Sequence, residues 1–450
     1  MKTQLFVAST AFGLASLVAA LDDGAFEPAD RRLLVLSINA SVPEAAIAID
    51  EVAGVGALIQ RFSAVHDYNA AVAPQHPSTW KPRTVDLPLL ERYLTQRLEL
   101  VGDLHLIVES VWTAPSLTLC RIFADARIDT YADGLMSYGP TRTAVPTLVA
   151  VRIERLLHLD LVPGLTPVLL SEHGVATRVI STEAFRRVVA GLGAPPSEIA
   201  HGRPSSVAVL LGQYLGALGI LTCDEEEALY LAMVRGAVAA GFKTLVFKPH
   251  VGAPPVLAQP LSDAARALGA DLAVVDDPAI VESWFGAPAL GVVIGCFSTA
   301  LMTAASCYQL RTARVGTEMV MERLKPFENS NRIPLTIVDA RVADLGSPAE
   351  ANLPPGLDLD ALVQAVSYCM QPERYPGLRS SAEAVLAAHG PALRRYFRRR
   401  LLTKLDLPGR MPPPTPSLVT RRRPAPGRVS RRQVSRVLSR LRQAAASRWR

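Results

Sequence analysis

Residues 4–21, "QLFVASTAFGLASLVAAL", and residues 32–38, "RLLVLSI", decide the fold of this chain. The run at 4–8 is typical of a buried strand, and Ser9-Thr10 can cap a helix over residues 11–21. The run at 32–38 is typical of a second strand. A strand, a helix and a strand in this order predict a βαβ unit, the building block of a parallel sheet.

The same N-terminal stretch also has the outline of a signal peptide. Lys2 precedes an apolar run that ends in the small residues Val18-Ala19-Ala20. A single lysine makes a weak charged region, and residues 4–38 complete a βαβ unit, so we favour the strand and the helix. The signal-peptide interpretation stays open at this point. The apolar runs are too short or too often broken by polar residues to predict an integral membrane helix.

The composition is typical of an α/β protein with two domains. A chain of 450 residues is too long to fold around a single hydrophobic core, and its length fits two domains of about 150–200 residues and a tail. Aromatic residues make up only 6% of the chain, as expected for aliphatic parallel sheets covered on both faces by helices. The five cysteines are scattered without metal-ligand spacing, which favours reduced thiols in a cytoplasmic protein.

Predicted strands and helices alternate in two series along the chain. The first series has strands at 4–8, 33–38, 62–67, 104–108 and 127–131, with helices at 87–98 and 115–123. The second has strands at 207–211, 244–247, 272–275 and 292–295, with a helix that begins after Thr222 and another at 261–268. Alternation of this kind predicts doubly wound parallel sheets.

A turn-rich segment at 191–204 places the domain boundary near 195–205. We therefore predict one Rossmann-like domain at 1–200 and a second at 201–405, closed by a long basic helix from about 380 to 404. A tail rich in proline and arginine follows at 406–450. Residues 411–450 hold eleven arginines and no lysine or acid, so the net charge of +6 becomes −5 for residues 1–410. Because the basicity belongs to the tail, we expect no specific nucleic-acid partner.

Asp133-Gly134 in "TYADGLMSYGP" follows a predicted strand. A carboxylate there can take a proton from an attacking hydroxyl when its pKa is raised toward the working pH. Gly134 lets the backbone turn tightly and a substrate approach closely. The alternative is an ordinary Asp-Gly turn, which is a common pair. Glu109, at the end of the strand "LHLIVES", lies at the same edge and is the other candidate base.

Lys248-Pro249-His250 in "TLVFKPHVG" ends a strand of the second series. A histidine beside a lysine suits a phosphate, since it can donate a hydrogen bond or give a proton to a leaving phosphate. The alternative is a structural histidine bonded to a loop carbonyl.

Ser298 and Thr299 in "VIGCFSTALM" open a predicted helix directly after a strand. The free N–H groups and the dipole of a helix N-terminus bind anions, and two hydroxyls add donors for phosphate oxygens. Ordinary helix capping explains the same residues and is compatible with anion binding. Parallel strands collect such end-of-strand groups at one edge of each sheet, so these segments predict a cleft between two domains.

Together these segments resemble the bacterial sialyltransferases, most closely the bacterial α-2,8-polysialyltransferase-like family, which shares an acidic-Gly, a His-Pro and a Ser-Ser/Thr motif. The resemblance extends through "TQLFVAST", "YADGLMSYGPTR", "LLGQYLGALGI" and "KPFENSNRIP", over roughly residues 1–345. It implies a GT-B-like fold of two Rossmann-like domains facing a central cleft. It further implies inverting transfer from CMP-sialic acid to a glycan acceptor, without a required metal or other cofactor.

By that resemblance, Asp133 is the general base of the N-terminal acceptor domain and His250 acts on the CMP phosphate. Ser298 and Thr299 form the phosphate-binding pair, and Gly134 and Lys248 also bind substrate. This chain departs from the family pattern at Ala132, where a first acid is common, and at Val251, where a second proline is usual.

Three further residues are candidates for the donor site. Gln213 and Tyr214 follow the first strand of the second domain and can line it. Glu328 in "KPFENSNR" can bond the nucleotide ribose, as a late acid of the second domain often does in GT-B enzymes. An exposed loop glutamate is the alternative for Glu328. The other histidines, among them His105 and His158, are interpreted as structural or solvent-facing.

The tail has apolar residues at helical spacing between 434 and 449, with arginines around them. A basic amphipathic helix of this kind can lie on an anionic membrane surface, which would make a cytoplasmic enzyme peripheral on the inner face of the membrane. A disordered polyanion-binding tail is the alternative. Two other functions stay open: a GT-B enzyme for another nucleotide sugar, such as a UDP-sugar transferase or epimerase, and a non-catalytic scaffold acting through the tail.

Overall fold

The first seven strands form one parallel sheet. The computed structural model describes residues 1–40, 46–132, 134–250, 258–347 and 353–411. The strands are β1 (Lys2–Ala8), β2 (Arg31–Leu36), β3 (Ala64–Asp67), β4 (Asp103–Val108), β5 (Arg127–Ala132), β6 (Ile153–Leu159) and β7 (Ala176–Ile180). Their order across the sheet is β3-β2-β1-β4-β5-β6-β7, and all neighbours run parallel.

The last six strands form a second parallel sheet. They are β8 (Val207–Leu211), β9 (Thr244–Lys248), β10 (Asp271–Val274), β11 (Leu290–Gly295), β12 (Thr312–Arg314) and β13 (Ala343–Asp344). Their order, β10-β9-β8-β11-β12-β13, repeats that of the first six strands of the other sheet. The fold is therefore GT-B-like, with two Rossmann-like sheets that each reverse strand order beside their first strand. We call the two halves the first and the second lobe.

Helices connect the strands of both sheets. The α-helices are α1 (Ala11–Asp22), α2 (Val55–Ile59), α3 (Tyr68–Val72), α4 (Leu87–Arg97), α5 (Ser116–Ile122), α6 (Thr147–Ala150), α7 (Thr182–Val189), α8 (Ser197–Ala200), α9 (Cys223–Ala239), α10 (Ala258–Ala267), α11 (Thr299–Tyr308), α12 (Thr317–Arg323), α13 (Arg332–Arg341), α14 (Leu359–Met370), α15 (Arg379–His389) and α16 (Arg399–Lys404). Short 3-10 helices lie at Ile49–Glu51, Thr84–Asp86, Leu135–Tyr138, Ser171–His173, Val281–Trp284 and Pro376–Leu378.

The N-terminal strand and helix lie inside the first lobe, as the βαβ interpretation predicted. β1 is the central strand, flanked by β2 and β4. The hydroxyl of Thr10 caps α1 by accepting a hydrogen bond from the Gly13 N–H at 2.9 Å. Nearly all of α1 is buried, because its apolar residues surround the helix rather than forming one stripe.

One apolar core extends through both lobes. It joins one face of the first sheet, at Phe6 and Leu34, to the second sheet, at Val209 and Val293. A separate cluster that includes Leu5 covers the opposite face of the first sheet. Residues Met1–Arg410 accordingly form one compact unit. The predicted boundary near 195–205 lies between β7 and β8, and the domain limits themselves stay a prediction.

The C-terminal part of the second lobe returns to the first. The hydroxyl of Tyr375, between α14 and α15, accepts a hydrogen bond from the Thr141 N–H at 2.9 Å. The same hydroxyl donates to the Glu172 carboxylate at 2.5 Å, and Arg374 donates to the Thr141 carbonyl at 3.0 Å. All three hydrogen bonds join residues more than 200 positions apart in the sequence, and the groups that form them are buried or partly buried.

Two sequence predictions about elements were wrong or incomplete. The predicted helix from about 380 to 404 is two helices, α15 and α16, because Gly390-Pro391 interrupts it and proline lacks the N–H that an interior helix position needs. The strands β6, β7, β12 and β13 were not predicted. Charged residues break the apolar run of β6, while β12 has three residues and β13 two.

The tail forms a unit of its own, Met411–Arg450. The predicted amphipathic helix between 434 and 449 lies outside the described residues and stays a prediction. Within the described ranges, no helix is long and apolar enough to cross a membrane.

Candidate active site

A cleft of about 380 Å³ lies between the lobes, where the carboxyl ends of both sheets meet. It is lined by Thr10, Phe12, Gly134, Leu135 and Met136 of the first lobe and by Gln213, Tyr214, Leu215, Leu218, His250, Glu282, Phe297, Ser298, Thr299, Ala300, Asn331 and Pro334 of the second. The structure thus brings together Gly134, Gln213, Tyr214, His250, Ser298 and Thr299 from the predicted segments. Open α/β sheets bind ligands at this edge.

A larger cavity of about 580 Å³ lies at the opposite, amino end of β1, β4 and β5. It holds none of the predicted site residues. Its lining mixes acids with Lys2 and Arg127, which pair with Glu27. The smaller cleft is the candidate site, because it carries the polar groups that converge from separate strands.

The N-terminus of α11 opens into the cleft. Ser298 is the N-cap residue, and its hydroxyl accepts a hydrogen bond from the Ala300 N–H at 3.3 Å. The hydroxyl of Thr299 accepts a hydrogen bond from the Leu135 N–H of the first lobe at 3.4 Å. Ser298 and Thr299 thus place two hydroxyls at the first turn of this helix, where the positive end of the helix dipole favours an anion.

Gly134 lets the first lobe approach this helix end closely. Its backbone is extended, at φ −158 and ψ −172, so its conformation does not require glycine. A methyl group added at Gly134 would lie 3.0 Å from the Thr299 hydroxyl oxygen. Glycine therefore fits position 134 because a larger residue would lie too close to Thr299, and not because the backbone conformation excludes other residues.

Asp133 lies outside the described residues, so its role as general base stays a prediction. Its neighbours place the segment: Ala132 ends β5, and Gly134 lines the cleft. Glu109, the other candidate base, does not line the cleft. Its carboxylate accepts a hydrogen bond from Ser9, and it borders a separate cavity of about 90 Å³ beside the ends of β1 and β4.

His250 lies at the rim of the cleft against Tyr214. The two ring centroids are 4.1 Å apart, with the planes at 47°. Desolvation, followed by the charge of Lys248, lowers the pKa of His250 to about 4. The residue as a whole is exposed, so solvent screening weakens this effect, but its direction favours a neutral imidazole in the free protein.

Lys248 does not line the cleft. Its ammonium group is buried, donates a hydrogen bond to the Asp277 carbonyl oxygen, and lies 5.6 Å from the ring centre of Trp284. Burial lowers its pKa, while Asp277 and Asp276 oppose that effect. In this arrangement Lys248 holds residues 277–284 against the end of β9, and a direct contact with substrate stays a prediction.

Gln213 joins two loops of the second lobe. Its side-chain oxygen accepts a hydrogen bond from the Phe297 N–H at 3.0 Å, next to Ser298. Tyr230 holds the Gln213 backbone by accepting from its N–H at 2.7 Å and donating to its carbonyl. Buried Glu226 accepts the N–H groups of Leu215 at 2.7 Å and Gly216 at 3.0 Å. These bonds fix the loop after β8 beside the helix end.

Glu328 is partly exposed and is not among the residues that line the cleft. Two residues near it in the sequence do line the cleft, Asn331 and Pro334. Arg332 between them is buried and donates to the carbonyls of Phe327 at 2.6 Å and Leu324 at 3.0 Å. A ribose contact for Glu328 stays a prediction.

Sequence reasoning missed Glu282, a buried acid that lines the cleft. It lies in the 3-10 helix Val281–Trp284, within "VESWFG", after the edge strand β10. The only available signal was one acid in an otherwise apolar segment. Asn331 was also missed, although it lies within "KPFENSNRIP", because only Glu328 of that segment was named as a candidate.

The described residues contain one cluster with metal-ligand spacing. Ligand atoms of His105, Asp129 and Glu154 lie within 4.8 Å of one another. Arg155, however, binds both oxygens of Asp129, and His105 lies 3.2 Å from one of them. Burial opposes ionisation of Asp129, but these two partners lower its pKa. The guanidinium already supplies the positive charge, so the cluster does not fit a metal site. The prediction that no metal is required stays a prediction.

Two parallel sheets of matching strand order, with a polar cleft at their carboxyl ends, define the class of the fold, which is GT-B-like. The chain belongs to the alpha-2,8-polysialyltransferase family, whose model matches residues 4–317. The resemblance found in the sequence is thereby confirmed. The matched span contains Asp133, His250, Ser298 and Thr299.

Several solved structures are similar in fold. UGT73P12 of Glycyrrhiza uralensis, complexed with glycyrrhetinic acid 3-O-monoglucuronide, is 10% identical, with a TM-score of 0.43 over 90% of this chain and 99% of that chain. MurG of Acinetobacter baumannii is 8% identical, with a TM-score of 0.39 over 85% and 94%. The UDP-GlcNAc 2-epimerase of Methanocaldococcus jannaschii is 7% identical, with a TM-score of 0.42 over 70% and 83%. No curated protein matches the sequence significantly.

Proposed function

We propose that this protein is an inverting sialyltransferase. It transfers sialic acid, or a related acid sugar, from a CMP-activated donor to a hydroxyl of a cell-surface glycan. The observation that carries the proposal is one cleft in which His250 and the open N-terminus of α11 lie opposite Gly134. Membership of the polysialyltransferase family supports the donor class.

The second lobe binds the donor phosphate in this proposal. The N–H groups and the dipole of α11 attract its negative charge, and the hydroxyl of Ser298 can donate a further hydrogen bond. The lowered pKa of His250 favours a neutral ring in the free protein, and a neutral ring still donates from one N–H. The bound phosphate then raises the pKa of His250, because an opposite charge favours the protonated ring. The same ring can therefore give a proton to CMP as it leaves.

The first lobe activates the acceptor in this proposal. The acceptor hydroxyl attacks the anomeric carbon of the donor sugar, and its proton passes to Asp133. The bond from that carbon to the phosphate oxygen breaks, and CMP leaves with the electron pair. A single displacement inverts the configuration of the anomeric carbon. No step uses a metal, since the helix end and His250 supply the electrostatic stabilisation.

Release of CMP from CMP-sialic acid, measured with purified full-length protein and a sialylated oligosaccharide acceptor, tests the proposal. We expect Asp133→Asn and His250→Ala to lower turnover by about 10²- to 10⁴-fold, as loss of a general acid or base does. Asp125→Asn and His201→Ala are matched controls, because both residues are exposed and neither lines the cleft. Equal turnover in all five proteins would contradict the assigned roles.

The product itself tests the inversion. The NMR spectrum of the first product should show an anomeric configuration opposite to that of the donor sugar. Retention would contradict a single displacement. A panel of CMP, UDP and GDP in thermal unfolding tests the donor, since a ligand at a hundred times its Kd stabilises by about 2.7 kcal/mol. A larger shift with UDP than with CMP would favour a different nucleotide sugar.

We further propose that the arginine-rich tail holds a cytoplasmic enzyme on the inner face of the membrane. The support is its sequence, with eleven arginines and no acid in residues 411–450. Full-length protein should sediment with vesicles that contain phosphatidylserine and not with neutral vesicles, and a chain ending at residue 410 should sediment with neither. If both forms sediment equally, the tail is not the membrane contact.

A further inference from the structure

Asn331, which carries a side-chain amide, lines the cleft from the second lobe. It is the N-cap residue of α13, but its side chain makes no capping hydrogen bond. None of the described residues forms a hydrogen bond with this amide, and Asn331 is half-buried. An amide side chain has two N–H donors and an acceptor oxygen. The mechanism proposed above gives these groups no role.

The backbone around Asn331 is held by its neighbours. The Asn331 N–H donates a hydrogen bond to the side-chain oxygen of Asn329 at 3.0 Å. Buried Arg332 donates to the carbonyls of Phe327 and Leu324, and its guanidinium carbon lies 4.1 Å from the centre of the Phe327 ring. A side chain on a fixed backbone loses less freedom when it binds a ligand, so Asn331 is suited to recognition.

The start of α13 lies beside the first lobe. The 3-10 helix Leu135–Tyr138 packs against α13, and a methyl group added at Gly139 would lie 3.1 Å from the Ile333 side chain. The Leu135 N–H donates to the Thr299 hydroxyl at 3.4 Å, so the same 3-10 helix also borders the proposed phosphate site. The transferred sugar must lie between the phosphate and the attacking hydroxyl. It therefore lies in the part of the cleft that the start of α13 lines.

A donor with a phosphate and a sugar carboxylate brings two negative charges into this cleft. Lysine and arginine are absent from the described residues that line it, and the acid Glu282 does not attract an anion. Arg142 of the first lobe lies at the border, where its guanidinium donates to the hydroxyl of Ser330 at 3.1 Å. Arg142 is exposed and pairs with no carboxylate in the part of the chain that the structure describes. This bond uses one of several guanidinium N–H donors, so others remain for a ligand beside Asn331.

We infer that Asn331 and Arg142 bind the carboxylate of the transferred sugar and so select an acid sugar over a neutral one. The inference rests on the proposed CMP-dependent function and adds the residues that recognise the sugar. The amide and the guanidinium both donate, and hydrogen bonds between a guanidinium and a carboxylate are among the strong ones. Because Arg142 belongs to the first lobe and Asn331 to the second, a bound acid sugar contacts both lobes.

Two measurements on the full-length protein separate the sugar from the nucleotide. The first is the KM for CMP-sialic acid in the CMP-release assay, and the second is the calorimetric Kd of CMP alone. A hydrogen bond to a charged group is worth about 10- to 150-fold in affinity, so Asn331→Ala and Arg142→Gln should each raise the KM by about that factor. Both variants should bind CMP as wild type does, because CMP lacks the carboxylate.

Asn331→Asp distinguishes ligand binding from a structural role. Aspartate is as good an N-cap residue as asparagine, so α13 should be as stable as in wild type. Its negative charge repels a carboxylate, so the KM for CMP-sialic acid should rise more than in Asn331→Ala.

The methyl ester of CMP-sialic acid tests the carboxylate directly. Wild type should have a higher KM for the ester than for the acid, again by about 10- to 150-fold. The two KM values should approach each other in Asn331→Ala. Equal KM values for the acid and the ester in wild type would overturn carboxylate recognition.

Gln96→Ala and Arg203→Gln are matched controls, because both residues are exposed and neither lines the cleft, and both should keep the wild-type KM. An unchanged KM in Asn331→Ala or in Arg142→Gln would overturn the two-residue site while the donor proposal stands. An equal loss of CMP and donor affinity would mean a contact with the nucleotide, which overturns it as well. If wild type releases no CMP from CMP-sialic acid, the proposed function fails, and this inference fails with it.

Discussion

Replacing Gly134 by alanine tests whether catalysis needs the close contact between the lobes. The new methyl group would lie 3.0 Å from the hydroxyl oxygen of Thr299 and 3.6 Å from its methyl carbon. The first distance is shorter than an ordinary van der Waals contact, so the lobes must separate slightly or Thr299 must move. The extended backbone of Gly134 accepts alanine without strain, which isolates the steric effect.

Overpacking of this kind costs about 1–3 kcal/mol. The cost falls on the contact across the cleft, so we expect kcat/KM for CMP release to fall about 5- to 150-fold. The midpoint of thermal unfolding should fall by only a few degrees, because the apolar core that extends through both lobes is unchanged. Gly56→Ala is the matched control, since an added methyl group there meets no atom within 4 Å.

A double-mutant cycle identifies the partner in this contact. Thr299→Ala removes the two close atoms and leaves only the Thr299 Cβ, at 3.8 Å. Gly134→Ala should therefore cost less in the Thr299→Ala background than in wild type. Wild-type kcat/KM in the single variant Gly134→Ala would refute the need for close approach. An equal loss in both backgrounds would refute the role of Thr299.

Three further outcomes are expected. Tyr230→Phe removes the hydroxyl that holds the Gln213 backbone, so it should cost about 1–3 kcal/mol in the free energy of unfolding and raise the KM for donor; an unchanged KM would contradict this. Asp129→Asn leaves the partly buried Arg155 unpaired and should cost about 3–5 kcal/mol in urea unfolding at pH 7. The pKa of Asp129 is lower in the folded protein than in the unfolded chain, so its contribution to stability is present above about pH 3.9 and is lost as pH falls through the folded pKa. The free energy of unfolding of Asp129→Asn should therefore lack the decrease at low pH that Asp129 causes in wild type. The pKa of His250 is lowered to about 4, so the unfolded chain binds its proton more tightly and stability should fall as pH drops from about 6.5. Ring resonances of His250 that titrate near 6.5 in the free protein would contradict the lowered pKa. Resonances whose pKa does not rise when CMP binds would contradict the proposed phosphate contact.

The sequence predicted the elements whose signals are local. An apolar run followed by polar residues predicts the strands β5, β9 and β11. Gly134, His250 and Ser298 follow these strands in the sequence, and all three line the cleft. β6 was missed because its charged Arg155 is stabilised by Asp129 on the adjacent strand, a contact that only the folded sheet creates.

Long-range contacts also determine what the sequence did not reveal about the site. The ammonium group of Lys248 lies against a carbonyl 29 residues later in the chain, and its expected contact with substrate stays a prediction. Glu282 lies in a turn after a short edge strand and has no motif around it. Neither placement follows from periodicity or from residue type, because both depend on how the loops after β9 and β10 pack.

The Tyr375 hydroxyl, which binds Thr141 and Glu172, has a consequence for synthesis of the chain. During translation, the first lobe emerges from the ribosomal exit tunnel long before residue 375 does. Until then, the N–H of Thr141 and the carboxylate of Glu172 lack this partner, and only water or a chaperone can cover them. The nascent first lobe is therefore expected to remain sensitive to protease near these residues until the last fifth of the protein has been translated.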